Sequence, residues 1–77
     1  MEITILLFGN LAQLAGTTKL VLQDVKDSAA CQELLLTKFP TFKNNIYVIA
    51  LNQELITENQ TLNDGDELAF LPTFSGG

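Results

Sequence analysis

The 77-residue sequence contains no histidine, no arginine and no tryptophan. Histidine is the commonest general base and metal ligand in proteins, and arginine forms the bidentate contacts that hold phosphate groups. We therefore do not expect a complete catalytic site or a metal site within this chain. If the protein takes part in a reaction, a partner has to supply the active site.

Positive charge is also scarce. Four lysines stand against nine aspartates and glutamates, which leaves a formal net charge of −5 at pH 7. A nucleic acid would be repelled, because its binding requires clustered positive charge. We expect no nucleic-acid partner, and the acidic surface favours a basic protein partner instead.

Disulfides and long apolar runs are absent too. The single cysteine, Cys31, cannot form a disulfide framework. The apolar run near the start is far shorter than the ~20 residues of a membrane span, and no basic region precedes it. We predict a cytoplasmic protein with no membrane partner. Because a chain this short needs nearly all its apolar side chains for the core, little remains to line a deep pocket such as enzymes use for small substrates.

The first third of the chain predicts two strands and a short helix. Residues 3 to 8 are apolar and β-branched, which predicts a strand buried on both faces. The leucines three apart in residues 11 to 16, closed by Gly16, predict a helix with a glycine cap. Residues 17 to 23 predict a second strand, antiparallel to the first because the link is short.

A longer helix is predicted from Asp27 and Ser28, which can cap it, to Lys38, since Pro40 must lie beyond its end. Helical periodicity gives this helix an apolar face that packs on a sheet. The residues predicted for that face are Ala30, Cys31, Leu34, Leu35 and Phe39. Leu36 falls on the polar side, and no local feature explains it.

The rest of the chain predicts three further strands, at residues 46 to 51, 54 to 56 and 67 to 71. The last follows a turn at Asp64 and Gly65, and regular pairing is predicted to stop at Pro72, which has no N–H to donate. If the helix makes a crossover, the first and last strands are adjacent and parallel. A mixed sheet of about five strands over one main helix predicts an α+β, β-grasp (ubiquitin-like) domain spanning residues 1–71.

Two features inside this domain could carry chemistry. Asp64, Asp66 and Glu67 could attract a hard cation, but their spacing does not fit the calcium-binding loop, so a solvated turn is the favoured interpretation. Cys31 lies in the predicted first turn of the main helix, where the helix dipole could activate a thiol. Its position on the apolar face favours core packing instead.

Residues 72–77 are predicted to form a flexible tail. At ~3.3 to 3.6 Å per residue this tail can extend about 20 Å, far enough to enter another protein's active site. Gly76 and Gly77 have no side chains and can pass through a narrow channel. The carboxylate of Gly77 is unreactive until an enzyme converts it to an acyl-adenylate, which a thiol, an amine or sulfide could attack.

Aromatic residues precede the glycines. Phe74 lies beyond the predicted sheet and could anchor the tail in a partner, since buried aromatic side chains dominate interface energies. Alternatively Phe70, Leu71 and Phe74 all fold back onto the domain. We favour folding back for Phe70 and leave both possibilities open for Phe74.

The stretch LNDGDELAFLPTFSGG, residues 62 to 77, resembles the end of the molybdopterin synthase small subunit. That family shows a leucine, an Asp-Gly-Asp-Glu turn, an apolar strand, a proline and a terminal glycine pair in this order. The likeness extends over the whole chain, from the apolar first strand and the short helix ending at Gly16 to the residues Ala50 to Gln53. One departure is Thr73, where many relatives have a second proline.

The resemblance implies a sulfur carrier for molybdenum cofactor synthesis. An adenylating, ATP-dependent activating enzyme would act on Gly77, and a sulfur donor would turn it into a thiocarboxylate. The tail would then enter the large synthase subunit and give its sulfur to cyclic pyranopterin monophosphate. The chain would be the non-catalytic subunit of a heterotetramer, with no cofactor or metal of its own. The residues implied are Gly76 and Gly77 for the chemistry, and Phe70, Leu71, Pro72, Phe74 and Ser75 for partner contacts.

Three alternatives share the predicted fold. A sulfur carrier of the thiamine pathway has the same ending and the same activation. A ubiquitin-like protein modifier would join Gly77 to lysines of target proteins. A plain β-grasp binding module would not use its tail at all.

Overall fold

The computed structural model of the chain describes residues 1–73. In chain order the elements are β1 (Glu2–Leu7), α1 (Gly9–Ala15), β2 (Lys19–Gln23), α2 (Ser28–Lys38), a 3-10 helix (Pro40–Asn44), β3 (Tyr47–Leu51), β4 (Glu54–Ile56) and β5 (Glu67–Pro72). Within these residues neither α-helix is long and apolar enough to span a bilayer.

The five strands form one mixed sheet in the order β2-β1-β5-β3-β4. β1 and β5, the first and last strands, are parallel neighbours, and Leu7 lies opposite Phe70. The other pairs are antiparallel. This is the predicted α+β arrangement. Because β1 and β5 are parallel, their carboxyl ends lie on the same side of the sheet.

The sheet is fully buried on one face only. Ile3, Ile5 and Leu7 of β1 are at most 2% exposed. Thr4 and Leu6, which alternate with them, are half-buried on the opposite face. The prediction that β1 is buried on both faces is therefore wrong. The physical reason is that the core cluster, which includes α2 residues, forms on one face of the sheet, so the other face (the outer face) keeps partial contact with solvent.

The predicted glycine cap of α1 is confirmed. Gly16 adopts a left-handed conformation with φ 74°, and its N–H donates to the carbonyl of Ala12. The helix begins earlier than predicted, at Gly9. Leu11 is fully buried in the core, which holds α1 beside the end of β5.

The apolar face of α2 differs from the prediction at two leucines. Leu34 is 49% exposed, whereas Leu36 packs against the core. The cause is tertiary: the 3-10 helix packs beside α2, and Leu36 lines a groove with Phe42 and Tyr47. The helical periodicity of α2 alone cannot predict this contact, because the contacting residues lie outside the helix. Cys31 and Leu35 are buried as predicted.

Candidate functional site

The candidate site is the carboxyl end of β5, from which the predicted tail departs. On one side the N–H of Phe8 donates to the carbonyl of Phe70 at 3.3 Å, and on the other Pro72 lies opposite Tyr47 of β3. The N–H of Thr73 donates to the carbonyl of Ile46 at 3.2 Å. The backbone is thus held by its neighbours up to Thr73. We call Pro72 and Thr73 the tail root.

Regular pairing continues one residue further than predicted. β5 includes Pro72, although proline has no N–H to donate. Because Thr73 and Ile46 form a hydrogen-bonded pair, the adjacent pair of Pro72 and Tyr47 is a non-hydrogen-bonded one. The missing N–H therefore costs no bond to β3. Toward β1, the next carbonyl of the ladder is that of Phe8, which accepts from the N–H of Leu11 instead.

Of the residues predicted to contact a partner, Phe70, Leu71 and Pro72 lie within the described part of the chain. Phe70 has no exposed surface and packs against Tyr47, with 5.4 Å between ring centroids. Folding back onto the domain is confirmed for Phe70. A partner contact of the surface around Phe70 and Leu71 stays a prediction. Leu71 and Pro72 are partly exposed. The predicted residues Phe74, Ser75, Gly76 and Gly77 lie outside the described residues.

Leu71 lies on the outer face of the sheet, opposite Val48. Other apolar side chains are exposed on this face, including Val48 at 37% and Leu55 at 67%. Neither of these two residues was identified from the sequence. The available signal was that residues 46 to 51 are apolar at every position, so β3 presents apolar side chains to both faces. This apolar surface lies next to the tail root.

The other side of the tail root faces α1. A cleft of about 540 Å³ separates α1 from the start of β3, and its lining includes Asn10, Gln13, Asn45, Pro72 and Thr73. The amide of Asn10 donates to Asn45 at 2.7 Å and ties the two walls together. The lining combines these polar side chains with the apolar Ile46 and Pro72 and carries no ionisable side chain, so it offers hydrogen bonds without acid or base chemistry.

The acidic turn before β5 uses its carboxylates locally. Asp64 accepts from the N–H of Glu2 at 2.6 Å, and Asp66 accepts from the N–H of Asn63 at 2.7 Å. This backbone bond, with a second from Asn52, lowers the pKa of Asp66. The turn therefore closes the sheet at the end opposite the tail root. Residues 1–73 contain no group of three or more His, Cys, Asp or Glu side chains arranged to hold a metal ion.

Cys31 is a core residue, as the favoured interpretation predicted. Its side chain is fully buried, and burial raises the pKa of the thiol to about 12. Desolvation of the thiolate outweighs the attraction of the helix dipole, because the charged form would lose its contact with water. The alternative of a thiol activated by the dipole is wrong.

Comparisons with known proteins agree with this geometry. The family model described as the ThiS family matches residues 5–77. The chain is 36% identical over 81 residues to the molybdopterin synthase sulfur carrier subunit of Arabidopsis thaliana, covering all of this chain and 84% of that protein.

Two solved structures have the same fold. The solution structure of small archaeal modifier protein 1 from Methanosarcina acetivorans is 29% identical with a TM-score of 0.83, and 99% of this chain and 96% of that chain are covered. A complex of subunits 1 and 2 of the molybdopterin-converting factor from Helicobacter pylori contains a chain that is 25% identical with a TM-score of 0.75, and both chains are fully covered. Because the family model matches all but the first four residues, the chain belongs to the ThiS family.

Proposed function

We propose that this chain is the sulfur carrier subunit of molybdopterin synthase and donates sulfur from a thiocarboxylate at Gly77 to cyclic pyranopterin monophosphate. The observation that carries the proposal is the similarity to the sulfur carrier subunit of Arabidopsis thaliana along the entire chain. The fold supports the proposal, because the last strand, β5, lies in the middle of the sheet and its carboxyl end leads toward the tail.

The chemistry begins at the terminal carboxylate, which is too weak an electrophile to react with a sulfur nucleophile. An activating enzyme transfers the adenylyl group of ATP to the Gly77 carboxylate and releases pyrophosphate. Hydrosulfide from a sulfur donor then attacks the acyl carbon, and AMP leaves with the bonding electron pair. The product is a thiocarboxylate. In this scheme the chain binds no cofactor, and ATP is used only by the activating enzyme.

The thiocarboxylate sulfur is a soft, ionised nucleophile that forms the new bond to the pterin. For the sulfur to remain on the pterin, the bond between the acyl carbon and sulfur must break, and water supplies the oxygen that regenerates the Gly77 carboxylate. The residues around the reacting atoms come from the large subunit. The carrier contributes a terminus slender enough to reach them, because Gly76 and Gly77 have no side chains.

The large synthase subunit is the partner that the tail root has to approach. The solved complex of subunits 1 and 2 of the molybdopterin-converting factor supports such a partner. On this chain Leu71, Pro72 and the exposed apolar residues of the outer face provide the contact surface, and Phe74 provides an aromatic anchor. We propose a heterotetramer that works in the cytoplasm, where ATP for the activating enzyme is available.

Intact mass spectrometry of the protein taken from cells with the native pathway tests the proposal. We expect a fraction of the chain to carry one sulfur in place of one oxygen, localised by fragmentation to Gly77. A matched sample from cells that lack the activating enzyme should carry only the carboxylate. Sulfur that is present in both samples, or that lies elsewhere in the chain, would contradict the proposal.

A ubiquitin-like protein modifier is the second candidate, because a similar structure is that of a small archaeal modifier protein. Both functions require adenylation of Gly77 and differ in the nucleophile that follows. Peptides in which Gly77 is joined to a lysine of another protein would favour the modifier. Growth of a deletion strain separates the thiamine-pathway carrier, since only that function would leave the cells dependent on thiamine.

A further inference from the structure

We infer that Gly9 is a positioning residue for the tail. It leaves room for the ring of Pro72 and thereby allows the tail root to remain packed against α1. A Cβ atom added at Gly9 would lie only 2.8 Å from Cγ of Pro72. Carbon atoms in contact are about 3.5 to 4.0 Å apart, so any other side chain would displace the ring. Gly9 also has φ +55°, a conformation that other residues adopt at a cost.

The tail root is held from both sides. The ring of Pro72 faces Gly9 at the start of α1, while the N–H of Thr73 donates to Ile46 at the start of β3. The two walls are joined by the hydrogen bond between Asn10 and Asn45. We call this arrangement the root clamp. It holds Pro72 and the backbone of Thr73 against the domain.

The effect of the root clamp on binding to the partner rests on the proposed function. With the clamp intact, four residues follow Thr73 and extend at most about 14 Å. If the clamp opens, two more residues must be ordered each time the tail enters the partner. Because ordering one residue costs enough free energy to weaken binding about fivefold or more, we expect the opened clamp, which adds two residues, to weaken productive binding about thirtyfold or more.

Gly9→Ala is the variant that opens the clamp. Gly16→Ala is its matched control, because Gly16 ends the same helix, has φ +74° and has no atom within 4 Å of an added Cβ. Both substitutions carry a similar backbone cost, but only one touches Pro72. Pro72→Ala removes the clashing Cγ and leaves only the ring's former Cβ, which is 4.0 Å from the added atom.

The first measurement needs no partner. We expect hydrogen exchange of the Thr73 amide to accelerate at least tenfold in Gly9→Ala relative to Gly16→Ala, because its bond to Ile46 is lost. If Gly9→Ala alone does not fold, adding Pro72→Ala should restore folding. Equal exchange in the two glycine variants, or no recovery in the double variant, would overturn the inference.

The second measurement uses thiocarboxylated chains and the large subunit. We expect Gly9→Ala to raise KM for the carrier about thirtyfold or more over Gly16→Ala with kcat nearly unchanged, because binding is weakened before the chemical step. In the Pro72→Ala background, the added effect of Gly9→Ala should fall to that of Gly16→Ala. An equal KM in the two single variants would overturn the positioning role. Faster Thr73 exchange together with no transfer by the unaltered chain would support the clamp and overturn the proposed function.

Discussion

Asp27 shows how single residues of this chain hold their elements in place. Its carboxylate accepts hydrogen bonds from the N–H of Ala30 at 2.8 Å and from the amide of Asn59 at 3.2 Å. The bond from Ala30, followed by the one from Asn59, lowers the pKa of Asp27 from its ordinary value of 3.8. Asn59 also accepts from the N–H of Ala29 at 2.8 Å. The start of α2 is therefore capped by its own aspartate and by a residue distant in sequence.

Asp27→Asn should make the stability of the protein less sensitive to acid. Since the pKa of Asp27 is lowered in the folded state, its charge stabilises the fold fully above pH 3.8, and this contribution is lost as the pH falls through the lowered pKa. We expect the variant to have a smaller free energy of unfolding than the wild type at about pH 7 and nearly the same value at about pH 2. Urea unfolding at both pH values measures this.

The control for this experiment is Glu33→Gln, which removes one negative charge from an exposed position of the same helix. It corrects for the change in net charge. A difference between wild type and Asp27→Asn that is the same at both pH values would show that the carboxylate does not contribute through its charge.

The two phenylalanines near the end of the chain should separate stability from binding. Phe70 is fully buried, so Phe70→Ala should lower the free energy of unfolding by about 3 to 5 kcal/mol. Phe74→Ala should instead weaken binding to the large subunit by about 1 to 3 kcal/mol, as loss of an aromatic anchor does. Denaturant unfolding and calorimetric titration measure the two effects. If Phe74→Ala destabilises the domain as Phe70→Ala does, Phe74 folds back onto the domain.

At the scale of the element, α2 shows where periodicity misleads. The helical pattern assigned Leu34 to the core and Leu36 to solvent, and the structure reverses both. The 3-10 helix supplies the contact for Leu36, and the other flank of α2 borders an open groove lined by Val25, Lys26 and Leu34. The buried arc of a helix is thus decided by what packs on each side of it.

Three consecutive leucines of α2 allow a matched test of this arrangement. We expect Leu35→Ala to lower the free energy of unfolding by about 2 to 5 kcal/mol, because Leu35 is buried in the core. For the half-buried Leu36 the same change should cost about 1 to 2 kcal/mol, and for the exposed Leu34 at most about 0.5 kcal/mol. Chemical denaturation of the three variants gives the order directly. A cost at Leu34 as large as that at Leu36 would contradict the observed packing.

At the scale of the whole molecule, the tail root lies at one end of the central strand β5, and the acidic turn lies at the other end of that strand. β5 is the middle strand, paired with β1 on one side and β3 on the other. A force applied to the tail would therefore be resisted by two strand pairs, β5 with β1 and β5 with β3. The outer face carries the exposed apolar residues Val48 and Leu55 and the half-buried Leu71. The core and this exposed apolar surface therefore lie on opposite faces of one sheet.

Extending the chain by one alanine beyond Gly77 should abolish sulfur transfer and leave the fold intact. The extra residue would place the methyl group of a side chain and a displaced carboxylate where the proposed activating enzyme would require a terminal glycine. We expect the free energy of unfolding to change by less than about 0.5 kcal/mol, as for other surface changes. Intact mass spectrometry after incubation with the activating enzyme, ATP and a sulfur source measures charging. An extended chain that is charged normally would exclude Gly77 as the reacting residue.

Much of the fold could be predicted because its signals are local. The turn at Asp64 and Gly65, the capping side chain of Asp27 and the glycine at the end of α1 each act through neighbouring backbone atoms. The parallel pairing of β1 with β5 followed from the crossover through the main helix. The exposure of Ile46 was not predicted, because it depends on residues far away in the chain.

By itself the sequence determined the order of the elements and the burial of Cys31. It also determined that Gly76 and Gly77 present no side chains. All three depend only on residue type and short-range spacing. Only the tertiary structure decided which face of β1 is covered, which leucine of α2 is buried and how far β5 continues. The last case gives the reason most clearly. A proline ends a strand only where its N–H is needed, and that depends on the partner opposite it, here Tyr47, which no local pattern around Pro72 reveals.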